Sequence, residues 1–388
     1  MKRTLITMVL CVISATAMAQ GLTTADEAQP IRSAHYLVYG DDEIGQLVSG
    51  RMEERFSIYN KLFRFNPNKI TSSASPPLVV RVFGNTEAYN NYLGSLLETP
   101  LPGAVYLHYN QVNRRELLID WGSADAEKNL PYQAFIQFIR AFVSNPPAWI
   151  REGFAVYFSR LNFTSGALSF EEQLDWLETV KAMNLPLDIV GILTADSRGL
   201  PEHFPALAWS LVSFLMNSGG IEYSRSLTDC ILLMSDTASA EENGQVLMDR
   251  IVSWNDIKTL AHDHQQYINS RKTFRWLIEE GQQAYTEEDY ITAELSFLSA
   301  RSQRPSHFAS WYYLGLIEYE KGNFVAAEQY YLHGLRLGAD PALTAYALGL
   351  NAAKSGIKAD AEKYLLEAAR IAPERYKERA ESVLSRLN

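Results

Sequence analysis

The residues able to do chemistry in this chain are few and scattered. Of the seven histidines no two lie four apart, and none falls between His108 and His203, so the helical pair that seats a zinc ion on adjacent turns is missing. His262 and His264 are two apart, a spacing that on a helix sends the imidazoles to different faces, and solvated side chains are expected rather than a metal site. Ser355-Gly-Ile-Lys358 has the spacing of a serine nucleophile with a lysine base, yet it falls between two helical patterns and reads as a turn. Cys230, in Asp-Cys-Ile-Leu-Leu-Met, reads as a buried thiol. The acidic clusters Glu171-Glu172 and Glu287-Glu288-Asp289 have no phased partners and are expected on solvated faces. No Gly-x-Ser-x-Gly, phosphate-binding glycine loop or Cys-x-x-Cys occurs.

The stretch that could organise a site is 131–159. Phe135, Phe138, Ile139 and Phe142 recur at helical spacing, and the helix they predict stops at Ser144-Asn145. Asn145 is placed to cap a second helix, with Pro146 in its first turn, where no amide hydrogen is needed. That second helix carries Pro-Ala-Trp-Ile-Arg-Glu-Gly-Phe-Ala-Val-Tyr-Phe, residues 147–158.

This segment resembles the third-ligand helix of the peptidase-MA-like gluzincin metallopeptidases, roughly Pro-x-Trp-Leu-x-Glu-Gly-x-Ala-x-Tyr. The resemblance puts Glu152 where that family holds its glutamate zinc ligand. It also implies His-Glu-x-x-His on the preceding helix, where two imidazoles share one face and the glutamate acts as base. Two registers are open here, Tyr132, Gln133 and Ile136 or Ile136, Gln137 and Arg140, and neither supplies a ligand. A glutamine in the base position does not titrate in a useful range. The expectation is a domain without metal or cofactor, in which Glu152 is a vestigial ligand position, either near the surface or paired with Arg151 or a tyrosine. The alternative is an active hydrolase or peptidase with an atypical site around Glu152.

The elements that would position these residues follow in order. His35 to Tyr39 reads as a strand, and a long helix follows with Ile44, Leu47, Met52, Phe56, Tyr59 and Phe63 on one side. A strand over 78–83 and a hairpin formed by 104–109 and 116–120 precede the two central helices. Residues 203–216 predict a long helix ended by Gly219-Gly220, and 257–268 a last one. The order matches the sheet and helices that surround a gluzincin site, so 34–268 is expected to be a degenerate α+β domain of that type.

Residues 1–19 have a basic start at Lys2 and Arg3, an apolar run from Leu5 to Ile13 and Ala17-Met18-Ala19, the order of a signal peptide cleaved before Gln20. Residues 20–33 read as a linker. An exported chain, periplasmic or secreted, is expected, with no membrane span once the signal is removed. Cys11 lies within the signal, so Cys230 would be the one mature cysteine and no internal disulfide could form. The 388 residues, 47% hydrophobic and 21% charged, suffice for two cores. The net charge of −10 argues against nucleic acid or an anionic membrane as the main partner.

After residue 268 a period of 34 takes over. Gly281, Gly315 and Gly349 share it, as do Ala293, Ala327 and Ala361, Phe297, Tyr331 and Leu365, and Ala300, Gly334 and Ala368. Pro305 and Pro373 close the first and third units; the second has Ala339 there, followed by Pro341. These positions resemble the tetratricopeptide repeat, a helix pair in which small residues let the helices approach and an aromatic fills the gap. The resemblance implies an all-α solenoid over 269–388, with repeats 274–307, 308–341 and 342–375 and a polar-faced capping helix from Tyr376 to Leu387. It also implies a concave groove lined by Tyr285, Tyr312, Leu316, Tyr319, Tyr346 and Leu350, taking a protein or peptide ligand. The lysine and asparagine set that clamps a C-terminal carboxylate in chaperone-binding repeats is absent. A non-catalytic binding or scaffolding protein of the cell envelope is the function expected from the whole chain.

Overall fold

In the computed structural model, which describes residues 29–71, 76–97, 101–164, 167–170, 172, 174–183, 187–254 and 256–387, the chain folds as two units, one ending at Arg271 and the other beginning at Lys272. The signal segment 1–19, the linker up to residue 28, and Glu171 lie outside the described residues.

The first unit opens with β1 (Ile31–Arg32), β2 (Tyr36–Tyr39), α1 (Asp42–Phe63), α2 (Asn68–Thr71), β3 (Leu78–Phe83), α3 (Thr86–Gly94), β4 (Ala104–Leu107) and β5 (Glu116–Asp120). The strands form one mixed sheet in the order β1-β2-β3-β5-β4. β2 and β5 both pair parallel with β3, while β1 and β4 are antiparallel edges. Leu117, Leu118 and Ile119 are all fully buried because both faces of the sheet are covered. Alternate side chains go to opposite layers: Val80, Val82, Leu117 and Ile119 join the large core, while Phe83, Val105 and Leu118 meet Tyr89 and Leu93 of α3.

α4 (Ala126–Phe142) and α5 (Ala148–Tyr157) lie on the large-core side, followed by β6 (Leu161–Thr164) and β7 (Ala167–Phe170), a separate antiparallel pair. Then come α6 (Asp175–Ala182), α7 (Ile189–Leu193), α8 (Phe204–Asn217), α9 (Ile221–Leu233), α10 (Ala240–Trp254) and α11 (Ile257–Ser270). Among the described residues no single helix is long and apolar enough to cross a membrane; α8 and α9 together meet that test but are bent by 118°.

Three expectations need correcting. α4 begins five residues before Pro131 and carries that proline within it; the lost hydrogen bond would have gone to Glu127, in the exposed first turn. Asn145 does not cap α5: Pro147 holds the cap position with no side-chain bond, and the Asn145 amide instead donates to Ala238 O at 3.5 Å. On α1 it is Val48, not Leu47, that enters the core; Leu47 is 47% exposed because the buried stripe runs through Gly45, Val48, Met52, Phe56 and Tyr59.

Every residue of α5 is buried. It crosses α8 so closely that a Cβ on Gly153 would stand 2.6 Å from Ala208 O and 2.7 Å from Val212 Cγ2, which explains the glycine after Glu152.

The second unit is helical throughout: α12 (Phe274–Thr286), α13 (Tyr290–Gln303), α14 (Phe308–Glu320), α15 (Phe324–Arg336), α16 (Pro341–Ser355), α17 (Lys358–Ile371) and α18 (Pro373–Leu387). Consecutive pairs repeat the same packing. A Cβ on Gly281, Gly315 or Gly349 would meet Phe297, Tyr331 or Leu365 at 2.6, 2.5 and 2.7 Å, so each glycine admits the large side chain one helix later. Ala293, Ala327 and Ala361 are fully buried at the same crossings. α18 closes the array by burying Tyr376 and Ala380, with Tyr376 against Ala342, Ala345, Ala368 and Ala372.

Candidate functional site

Glu152 projects from α5 toward α4 and is 3% exposed. Arg151 Nε donates to its Oε1 at 2.7 Å, and the Tyr132 hydroxyl of α4 donates to its Oε2. Both carboxylate oxygens are therefore engaged by protein donors. Burial, with Glu152 alongside, pushes the Tyr132 phenol well above its ordinary value, so it stays protonated and remains a donor. Of the two registers open on α4, the structure brings Tyr132 of the first against Glu152. Its second residue, Gln133, is turned elsewhere: its Oε1 accepts the backbone N–H of Tyr106 on the edge strand β4 at 3.0 Å.

Arg140, also on α4, is 8% exposed and donates to Ser144 O at 2.9 Å. Burial and the field of Arg151 lower its guanidinium to about 10. Next to it lies His108, a residue whose place the sequence left open. Burial, then the charges of Arg140, Arg115 and Arg151, hold its imidazole down to about 2, so it is neutral throughout the physiological range. What gathers behind the sheet end is thus three guanidinium groups, one carboxylate and a neutral imidazole. Among the described residues no three His, Cys, Asp or Glu side chains come together as a ligand set. His203 is exposed at the start of α8.

The remaining chemistry-bearing residues fall into structural roles. Cys230 is buried, donates to Leu247 O, and burial pushes its thiol up to about 12. Ser355 and Lys358 flank the turn after α16, where Gly356 takes a left-handed φ of 84°. His262 is exposed as expected, but His264 is fully buried and meets Ser210 Oγ at 3.1 Å; two residues apart on α11, one ring faces water and the other α8. Glu172 is not on a solvated face either. It takes Arg271 Nη2 at 2.7 Å and Nη1 at 3.2 Å and the hydroxyl of Ser213 on α8, joining residues far apart in sequence. Glu287, Glu288 and Asp289 are exposed.

In the second unit Tyr285, Tyr312, Leu316, Tyr319, Tyr346 and Leu350 are all half-buried. Tyr312 packs against Tyr331 with ring centres 5.7 Å apart, and Leu316 and Tyr319 join it over Ala347 and Leu348. Tyr285 donates toward Glu320 at 3.4 Å, while Lys354 Nζ lies 4.3 Å from the centre of the Tyr319 ring and 3.9 Å from Glu320. Tyr346 is stacked on Tyr376 of α18 at 4.9 Å, so the closing helix covers part of this residue. Around these aromatic and leucine side chains one hydroxyl, that of Tyr285, reaches an acidic partner and one ring, that of Tyr319, carries a cation on its face. No family model, curated protein or solved structure matches this chain.

Proposed function

We propose that the chain is an exported, non-catalytic binding or scaffolding protein, with a gluzincin-like first unit that has lost its metal site and a tetratricopeptide array as its interaction module. The observation that carries this reading is the state of Glu152: both carboxylate oxygens already accept a protein donor, from Arg151 and Tyr132, and a buried guanidinium neutralises the charge that would hold an ion. The 34-residue recurrence of glycine against a large side chain supports the array. The purified full-length chain, equilibrated with zinc and dialysed, is expected to retain no stoichiometric metal and to hydrolyse no generic peptide. About one zinc per chain, lost on Glu152→Ala, would overturn the reading.

The array in turn would hold an extended peptide segment along its tyrosine row, since a tyrosine combines a large apolar face with a hydrogen-bonding tip at low entropic cost. In a titration against a peptide selected on the full-length chain, Tyr312→Ala is expected to weaken binding by ~1–3 kcal/mol with helicity unchanged. Unaltered affinity in both Tyr312→Ala and Tyr319→Ala would place the ligand elsewhere.

A further inference from the structure

Three guanidinium groups from three separate segments gather around His108: Arg140 of α4, Arg151 of α5 and Arg115, the residue before β5. Backbone acceptors hold two of them there. Arg115 gives Nε to Tyr109 O at 2.7 Å and Nη1 to Arg140 O at 3.4 Å, which ties the segment after β4 to the end of α4, and Arg140 gives Nη1 to Ser144 O at 2.9 Å. The carboxylates of this neighbourhood are taken: Glu152 by Arg151 and Tyr132, and Glu116 by Arg81 at 3.2 Å and the Tyr92 hydroxyl at 2.7 Å. Setting Glu152 against the three guanidiniums leaves an excess of two positive charges, and the charges that act on His108 are all cationic. Like charges held together away from bulk water repel one another, and an anion among them relieves that cost.

The cluster also has donors without partners. Arg140 is 8% exposed, and its Nε and Nη2, the edge of the guanidinium that presents two parallel N–H bonds, make no hydrogen bond among the described residues. The same is true of Arg115 Nη2 and His108 Nε2, each on a half-buried side chain. These nitrogens stay open to solvent, whereas Arg151 Nη2 is unpaired and sealed. Burial keeps the Tyr106 phenol protonated, pushed up to about 12, and its hydroxyl stands 3.5 Å from His108 Nδ1, which suits the tautomer with its hydrogen on Nε2. A cleft of about 80 Å³ lined by Arg115, Tyr106 and Val112 opens beside the Arg115 guanidinium, so it can be reached from water.

This donor set is larger than a carboxylate can use, since two oxygens on the Arg140 edge would leave Arg115 and His108 without an acceptor. A tetrahedral oxyanion has oxygens for all of them, and a second negative charge matches the cationic excess. We propose that this cluster binds a tetrahedral dianion of the phosphate class, two oxygens on the Arg140 Nε–Nη2 edge and the others on Arg115 Nη2 and His108 Nε2. The site lies within the first unit and depends neither on the metal-site reading nor on the helical array.

The test is calorimetric titration of the full-length chain with sodium phosphate, sodium sulfate and sodium acetate in ~0.15 M sodium chloride, where contacts to fully exposed cations are largely screened. Saturable binding of a dianion below about 10 mM is expected, with acetate weaker by roughly tenfold or more, and the dianion should raise the melting temperature of the chain. Of phosphate and sulfate, the one that binds tighter names the group recognised, phosphoryl or sulfuryl. Arg140→Lys keeps the charge but removes the two-hydrogen edge, and should weaken the dianion by roughly fivefold or more. Arg115→Gln removes a half-buried guanidinium and should weaken it by roughly tenfold. Each variant is read beside its own melting temperature without ligand, which tells lost binding from lost folding; should neither fold, the order of dianion over acetate in the parent decides. The proposal fails if neither dianion binds at about 10 mM, if acetate binds as well as they do, or if the folded variants bind as the parent does.

Discussion

Replacing Glu152 by alanine is expected to cost the first unit about 3–5 kcal/mol of stability, because it strands a buried guanidinium. Arg151 is 1% exposed and its Nε has the Glu152 carboxylate as acceptor; without it the charge faces Arg140 and loses the one carboxylate that it meets among the described residues. Tyr132 loses its acceptor in the same step. Glu152→Gln keeps the shape and an acceptor for Arg151 but removes the charge, so an intermediate loss is expected. The double variant Arg151→Met with Glu152→Leu removes the charges together and should recover most of the deficit, since replacing a buried pair by apolar groups of similar volume is often neutral. Chemical denaturation followed by tryptophan emission reads this unit through the buried Trp149 and Trp209. A loss below about 1 kcal/mol for Glu152→Ala would mean that solvent or another anion neutralises Arg151. A carboxylate that serves as a structural counter-ion differs from a metal ligand in that its removal is a stability defect whether or not metal is present.

Acid should weaken the first unit well before its carboxylates protonate. Burial depresses His264 from 6.5 to about 4, only partly opposed by its bond to Ser210. Ser210 Oγ donates to Leu207 O at 2.7 Å and so accepts from His264 Nε2, which assigns the neutral tautomer. In the folded chain the ring refuses a proton that the unfolded chain takes up, so the unfolded state binds more protons between the two values. Stability is therefore full above pH 6.5 and is lost as pH falls toward 4, by about 3 kcal/mol for this one group. His108 acts in the same direction, its window extending lower because its value lies at about 2. In His264→Gln the amide cannot titrate. The difference in unfolding free energy between parent and variant should then shrink by about 3 kcal/mol on going from neutral pH to the lower limit of the window. A difference that stays constant with pH would show that His264 is protonated as easily inside as outside.

The parts of this molecule that could be read in advance are those decided by neighbours in sequence. The glycine, alanine and aromatic recurrence of the second unit is such a case, since Gly315 and Tyr331 meet within one helix pair and their sizes alone imply the contact. The strand over 78–83 and the hairpin expected of 104–109 with 116–120, whose first strand ends at Leu107, are legible for the same reason. Arg151 beside Glu152 could be anticipated; Tyr132 could be named only as one of two registers, because which turn of α4 faces α5 depends on how the helices cross. Residues settled by distant packing were misread. His264 is buried because α8 brings Ser210 and Phe214 against it, and Glu172 is paired because Arg271 arrives from 99 residues away. Leu47 and Val48 are equally apolar, and only the direction of the sheet under α1 chooses between them.

The bond from Tyr106 N–H to Gln133 Oε1 has a consequence for how the protein behaves in a crowded solution. β4 is an outer strand of the sheet, and the outward N–H groups of such a strand are templates on which a foreign strand can build, leading to aggregation or to recruitment of a stray peptide. Here the molecule's own amide occupies the middle of that template, and an incoming strand would have to evict a 3.0 Å hydrogen bond before zippering on. Gln133, a residue of one of the two registers open on α4, thus serves as a guard against unwanted strand addition.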